Sequence, residues 1–173
     1  MRRSYYDLPI GSNYPEYVNC VVEISTDTNA KYEYNTEMDV FVLDRCLISS
    51  MRYPANYGFV PQTIADDGDP LDVLIHNSVR LQTGTLVECR IVGVLDMTDS
   101  GVKDYKLLGI PRYNPNNYND ITDIDSMFLT ISKDFFKHYK NIEGKTVLVG
   151  DWMGKDTAHM ITKASHANYM VKV

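Results

Sequence analysis

The amino-acid sequence predicts a β-rich domain, an antiparallel barrel or sandwich, with one or two helices near its C-terminal end. Two observations lead there. Short runs of β-branched and apolar residues fill the first two thirds of the chain, with Gly and Pro between them and no room for intervening helices. Only from residue 121 does the apolar spacing change from strand-like to helical.

The runs fall at 18–24 (VNCVVEI), 40–43 (VFVL), 73–75, 86–94, 106–110 and 146–149. Breaks between them occur at Pro54, Gly58, Pro61, Gly68, Pro70, Gly84, Gly101, Pro111 and Pro115, where backbone geometry favours turns. The helical period runs through Ile121, Ile124, Met127, Phe128, Ile131, Phe135 and Tyr139, with Gly144 as its stop. A second, weaker helix is expected over 156–166, packed by Ala158, Ile161 and Ala164. With no repeat, low-complexity tract or long linker, residues 1–173 read as one domain.

A chain of 173 residues with 44% hydrophobic and 23% charged residues can bury a sizeable core. Its net charge of -6 argues against nucleic acid or an anionic membrane as partner, since both reward a basic face. A small anionic substrate remains compatible, provided metal ions lie between it and the carboxylates. Cys20, Cys46 and Cys89 form no CxxC pair, so a reducing, cytoplasmic compartment is expected. The first twelve residues carry two arginines without an apolar stretch behind them, which is not the pattern of a signal peptide. No apolar run approaches the roughly 20 residues that a membrane-spanning helix needs.

The most informative segment is the acidic turn Asp66-Asp67-Gly68-Asp69-Pro70-Leu71-Asp72, with four carboxylates in seven residues. Gly and Pro bend the chain so that several oxygens can aim at one point, as a hard cation such as Mg²⁺ requires. Asp72 leads directly into the apolar run 73–75, which would hold it rigidly. Read alone, a solvated surface turn explains the segment as well as a metal site does. A calcium-binding EF-hand does not, because its D-x-[DN]-x-[DN]-G spacing is missing.

Asp99 and Asp104 flank Gly101 between two apolar runs and read as a hairpin loop. Glu23 lies within an apolar run, and Lys31 and Glu33 alternate so as to share one strand face. An ordinary cross-strand ion pair would account for these too. Arg45, Arg52, Tyr53 and Tyr57 concentrate guanidinium and phenol groups suited to phosphate. The 13 tyrosines against 5 phenylalanines point the same way. Tyr139 and Lys140 end the main helix, where the helix dipole also favours a cation. His76, His138, His159 and His166 show no metal-ligand spacing, and no Walker or GxGxxG motif occurs.

Taken together, these segments resemble the soluble (family I) inorganic pyrophosphatases. The family signature D-G-D-P-[apolar]-D-[apolar] appears as Asp67-Gly-Asp-Pro-Leu-Asp-Val73. In family order come Glu23, the Lys31-x-Glu33 pair, Leu43-Asp-Arg45 and Tyr53-Pro-Ala-Asn-Tyr-Gly58. Gly93-Val-Leu-Asp-Met-Thr-Asp99, then Asp104 and Lys106, and finally Phe135-Phe-Lys-His-Tyr-Lys140 continue it. The resemblance spans residues 21–140. Arg52 departs from it, standing where relatives have an uncharged residue, and the N-terminal segment and the tail after Asp151 match poorly.

The resemblance implies an OB-like five-stranded antiparallel β-barrel, flanked by one long and one shorter C-terminal helix. It implies Mg²⁺-dependent hydrolysis of pyrophosphate to two phosphates, with several Mg²⁺ per site and no covalent intermediate. Asp67, Asp72, Asp99 and Asp104 would hold metal, which makes a shared water more acidic. Asp69 would be the general base and Tyr57 would orient the water. Lys31, Arg45, Tyr57, Lys106, Tyr139 and Lys140 would bind the phosphoryl oxygens, with Glu23, Glu33 and Tyr53 in an outer layer. A homo-oligomer, a hexamer in many members of this length, is also implied. A nucleic-acid-binding barrel, a phosphatase for organic phosphates and an inactive homologue are the rival readings.

Overall fold

The computed structural model describes residues 4–172. The two arginines behind the signal-peptide expectation, at positions 2 and 3, lie outside the described residues. Nine strands and two α-helices follow in the order β1 (Tyr17–Ile24), β2 (Ala30–Asn35), β3 (Val40–Cys46), β4 (Asn56–Phe59), β5 (Asp72–Ile75), β6 (Leu86–Asp99), β7 (Val102–Lys103), β8 (Lys106–Pro111), α1 (Ser126–His138), β9 (Val147–Gly154) and α2 (Lys155–Lys172).

The six apolar runs read from the sequence fall in strands, except that Thr146 precedes the start of β9. The expected OB-like, five-stranded antiparallel barrel is overturned. The main sheet has seven strands in the order β1-β4-β5-β8-β6-β7, with β9 added on β6, while β2 and β3 form a separate ribbon. It is also mixed, because β5 and β8 run parallel. The long β6–β7 excursion supplies the crossover that a parallel pair needs. Strand β6 has 14 residues, and it hydrogen-bonds β1 along its first half and β9 along its second. Register shifts at 91–93 and 95–97 bend it between those partners.

The helix expectation is corrected as well. The period beginning at Ile121 opens as a 3-10 turn over Ile121–Asp123, and α1 starts only at Ser126, capped by Asp125 accepting from Met127 N. Tyr139 caps its C-terminus. The second helix is the longer one, with 18 residues against 13. Its buried residues are Ala158, Thr162 and Ser165, with Ile161 packed against the same core, so of the expected packing set only Ala164 is exposed.

Neighbouring residues of the central strands serve opposite cores. Leu74 and Leu108 join Phe135 and Phe136 of α1 in one cluster, whereas Val73, Ile75 and Leu107 join Ala158 of α2 in another. Both faces of β5 and β8 are therefore covered, which explains their continuous apolar runs. Gly58 is required by a close approach. A Cβ there would lie 1.8 Å from the Val21 carbonyl oxygen across the β1–β4 pair. Among the described residues, no helix is long and apolar enough to cross a membrane.

Candidate active site

The acidic turn is built by its backbone. Ala65 N donates to Asp69 O at 2.7 Å, Gly68 N to Ala65 O at 3.0 Å, and Asp69 N to the Asp67 carboxylate at 3.0 Å. Gly68 takes the φ of +93° that closes the turn. Thr63 pins the exit by accepting from Leu71 N and donating to Val60 O. Asp72 then enters β5 opposite Lys106 of β8 and Phe59 of β4.

These elements open onto a cavity of about 630 Å³. Asp67, Asp69 and Asp72 come to it from the turn, and Asp99 and Asp104 from the β6–β7 hairpin region. Glu23 enters from β1, Lys31 and Glu33 from β2, Tyr53 and Tyr57 from the β4 region, Lys106 from β8, and Tyr139 and Lys140 from the end of α1. Every site residue expected from the sequence lines this one cavity except Arg45.

Arg45 is paired with Lys31 in the β2–β3 ribbon, but its guanidinium turns toward Asp44 (3.3 Å) and Glu143 (3.2 Å). Its Nε faces the Glu143 carboxylate outside hydrogen-bond geometry, and its Nη2 is buried without a hydrogen bond. Arg52, the departure from the family pattern, is exposed and pairs with Asp27 at 3.8 Å away from the cavity lining. Asp66 stays outside the lining too.

Charge is balanced locally by lysines. Lys106 Nζ, with 3% of its side chain exposed, lies 2.5 Å from both Asp72 and Asp104. Lys140 pairs with Asp99, and Lys31 with Glu33. Burial alone would lower the Lys106 pKa, but Asp72 and Asp104 outweigh it and keep the ammonium protonated. Burial raises the Asp69 carboxyl, reinforced by Asp67 and Asp72. Asp99 is held below the usual carboxylate range, because Lys140 and Ser100 hydrogen bonds outweigh its burial. Burial pushes Glu23 up to about 8, against a hydrogen bond from Tyr34 N at 2.9 Å. Burial likewise raises Tyr53, Tyr57 and Tyr139, so these phenols act as hydrogen-bond donors, not as proton acceptors.

Among the described residues, no three His, Cys, Asp or Glu side chains form a ready-made metal cage. The donor chemistry nevertheless suits a hard cation. Five aspartates converge on one cavity with all-oxygen ligands, and no histidine or cysteine lines it.

Residues 20–170 match the family model described as inorganic pyrophosphatase. The chain belongs to that family. An inorganic pyrophosphatase from Aquifex pyrophilus is 42% identical over 171 residues, 95% of this chain and 96% of that protein. One from Saccharolobus solfataricus is 40% identical over 82% of this chain and 86% of its own length. The crystal structure of inorganic pyrophosphatase from Thermus thermophilus superposes with a TM-score of 0.94 at 35% identity, covering 97% of this chain and 99% of that one.

Within this pyrophosphatase site, sequence reasoning missed Tyr6, Tyr34 and the 35–37 turn, which also line the cavity. It missed Glu143 beside Arg45 as well. None belongs to a short motif; the excess of tyrosine over phenylalanine was the one compositional trace.

Proposed function

We propose that the protein hydrolyses inorganic pyrophosphate to two orthophosphates, in a Mg²⁺-dependent reaction with water as nucleophile and no covalent intermediate. The observation that carries this reading is the pairing, in one cavity, of five aspartates with Lys31, Lys106, Tyr139 and Lys140. Family membership over residues 20–170 supports it, and we read residues 1–173 as one domain.

Asp67, Asp72, Asp99 and Asp104 would hold Mg²⁺, which when bound neutralises phosphate charge and makes the attacking water more acidic. Asp69, its affinity for a proton raised by burial and by Asp67, takes the proton from that water. Tyr57 donates a hydrogen bond that orients the water. Lys31, Lys106, Tyr139 and Lys140 hold the phosphoryl oxygens and offset charge on the departing phosphate, a role that the resemblance also gives to Arg45. Glu23, protonated at neutral pH, spares the cavity one further negative charge. Glu33 and Tyr53 complete the walls.

The test is phosphate release from pyrophosphate by purified protein, with Mg²⁺ and then with chelator, beside a panel of organic phosphates. Release confined to pyrophosphate and abolished by chelator is expected. In Asp69→Asn and Asp72→Asn, turnover should drop about a hundredfold or more in a folded protein. No release from folded wild-type protein with any of several divalent metals would overturn the reading. The same reading includes a cytoplasmic setting, in keeping with three free cysteines, two of them buried. It also includes a homo-oligomer, a hexamer by resemblance, to be checked by light scattering on the eluting protein.

A further inference from the structure

The N-terminal segment, outside the stretch matched by the family model, reaches the catalytic cavity. Tyr5–Asp7 forms a 3-10 turn capped by Ser4, whose Oγ accepts from Tyr6 N. Gln62 N donates to Tyr6 O at 2.8 Å, and Tyr5 N donates to Tyr34 Oη at 3.2 Å. The Tyr6 ring packs edge-on against Phe59 (4.9 Å) and Tyr34 (5.3 Å), and its side chain lines the cavity.

The last turns of α2 hold this segment down. Tyr169 Oη donates to Asp7 at 2.8 Å, and His166 Nδ1 lies 2.7 Å from Gln62 O. Ile64 N donates to Ser165 O at 2.9 Å, just before the acidic turn. One helix end thus fixes both the turn that bears Tyr6 and the approach to Asp69.

Among the described residues, neither the Tyr6 hydroxyl nor the Asp69 carboxylate has a hydrogen-bond partner, although both face the same cavity. Burial and then the charges of Glu23, Asp69, Asp72 and Glu33 push the Tyr6 phenol up, which keeps its proton available to donate. We propose that Tyr6 is a positioning residue for Asp69, its hydroxyl donating to that carboxylate directly or through one water and so fixing its aim at the attacking water. This rests on the assignment of Asp69 as general base.

Tyr6→Phe retains the ring contacts and removes only the hydroxyl. We expect its kcat to fall about tenfold, from the loss of one hydrogen bond to a charged group, with KM and thermal midpoint unchanged. In an Asp69→Asn background, measured at high enzyme concentration, adding Tyr6→Phe should change kcat by less than about twofold, because the two groups act as a unit. Undiminished kcat in Tyr6→Phe beside an active wild type overturns this proposal alone. So does an equal loss in both backgrounds, or a loss that tracks a lowered midpoint. A wild-type protein that releases no phosphate overturns the functional reading, and this one with it.

Discussion

Replacing Glu23 by Gln is expected to alter the pH dependence of stability far more than stability in acid. The carboxyl lies on β1, 8% exposed, and accepts from Tyr34 N. Burial, reinforced by Asp72 and Glu33 and opposed by that hydrogen bond, raises its pKa from 4.5 to about 8. Between those values the folded protein keeps the proton and the unfolded chain releases it. The stabilising contribution is therefore complete below 4.5 and is lost as pH climbs to about 8. Each pH unit in that window costs about 1.4 kcal/mol, so from pH 5 to pH 7 the wild type should lose about 2.5 kcal/mol that Glu23→Gln does not. The glutamine oxygen still accepts from Tyr34 N, which keeps the local geometry. Urea denaturation at pH 5, 6 and 7 with chelator present measures the difference. Parallel stability curves for the two proteins would refute the reasoning.

Two further substitutions probe the frame of the site. Gly58→Ala forces a methyl group to 1.8 Å from the Val21 carbonyl and should destabilise the protein. The expected loss is about 3 kcal/mol or more, read as a fall in thermal midpoint. Lys106→Met leaves Asp72 and Asp104 without their shared cation. It should cost about 3 kcal/mol at pH 8 without divalent metal, and less at pH 5, because burial raises the proton affinity of the Asp104 carboxyl. Urea denaturation at both pH values gives the comparison, and an equal deficit at each would count against the charge argument.

What the sequence reveals follows from the range of the interactions involved. The acidic turn is legible because its Asp, Gly and Pro residues act locally, and the backbone of 65–72 depends on near neighbours. Strands with paired apolar faces, such as β5 and β8, are legible for the same reason. Strand β4 is not, because Asn56 and Gly58 carry turn-forming chemistry and become part of a strand only by pairing with β1 and β5. The parallel β5–β8 pair depends on contact between residues more than thirty positions apart, which no local pattern encodes. At the site, alternation correctly puts Lys31 and Glu33 together, but it cannot say that the Arg45 guanidinium turns out to Glu143. The notable omission is Tyr6, whose place depends on a hydrogen bond between Asp7 and Tyr169 near the other end of the chain.

The β5–β8 alignment carries one more consequence, for the accuracy of folding. Along these strands Val73, Leu74, Leu107 and Leu108 are nearly interchangeable as packing groups, so apolar contact alone discriminates poorly between alignments. Lys106 opposite Asp72 does discriminate. Sliding β8 by one residue would set Leu107 or Tyr105 beside the carboxylate. It would also turn the ammonium into the apolar layer formed by Val18, Val73 and Ile91, where it would have no counter-ion. An unpaired buried charge costs several kcal/mol, enough to make the shifted sheet a minor species. The three charged groups that assemble on Asp72, Lys106 and Asp104 therefore proofread strand alignment, and a chain that folds out of register loses the site together with its stability.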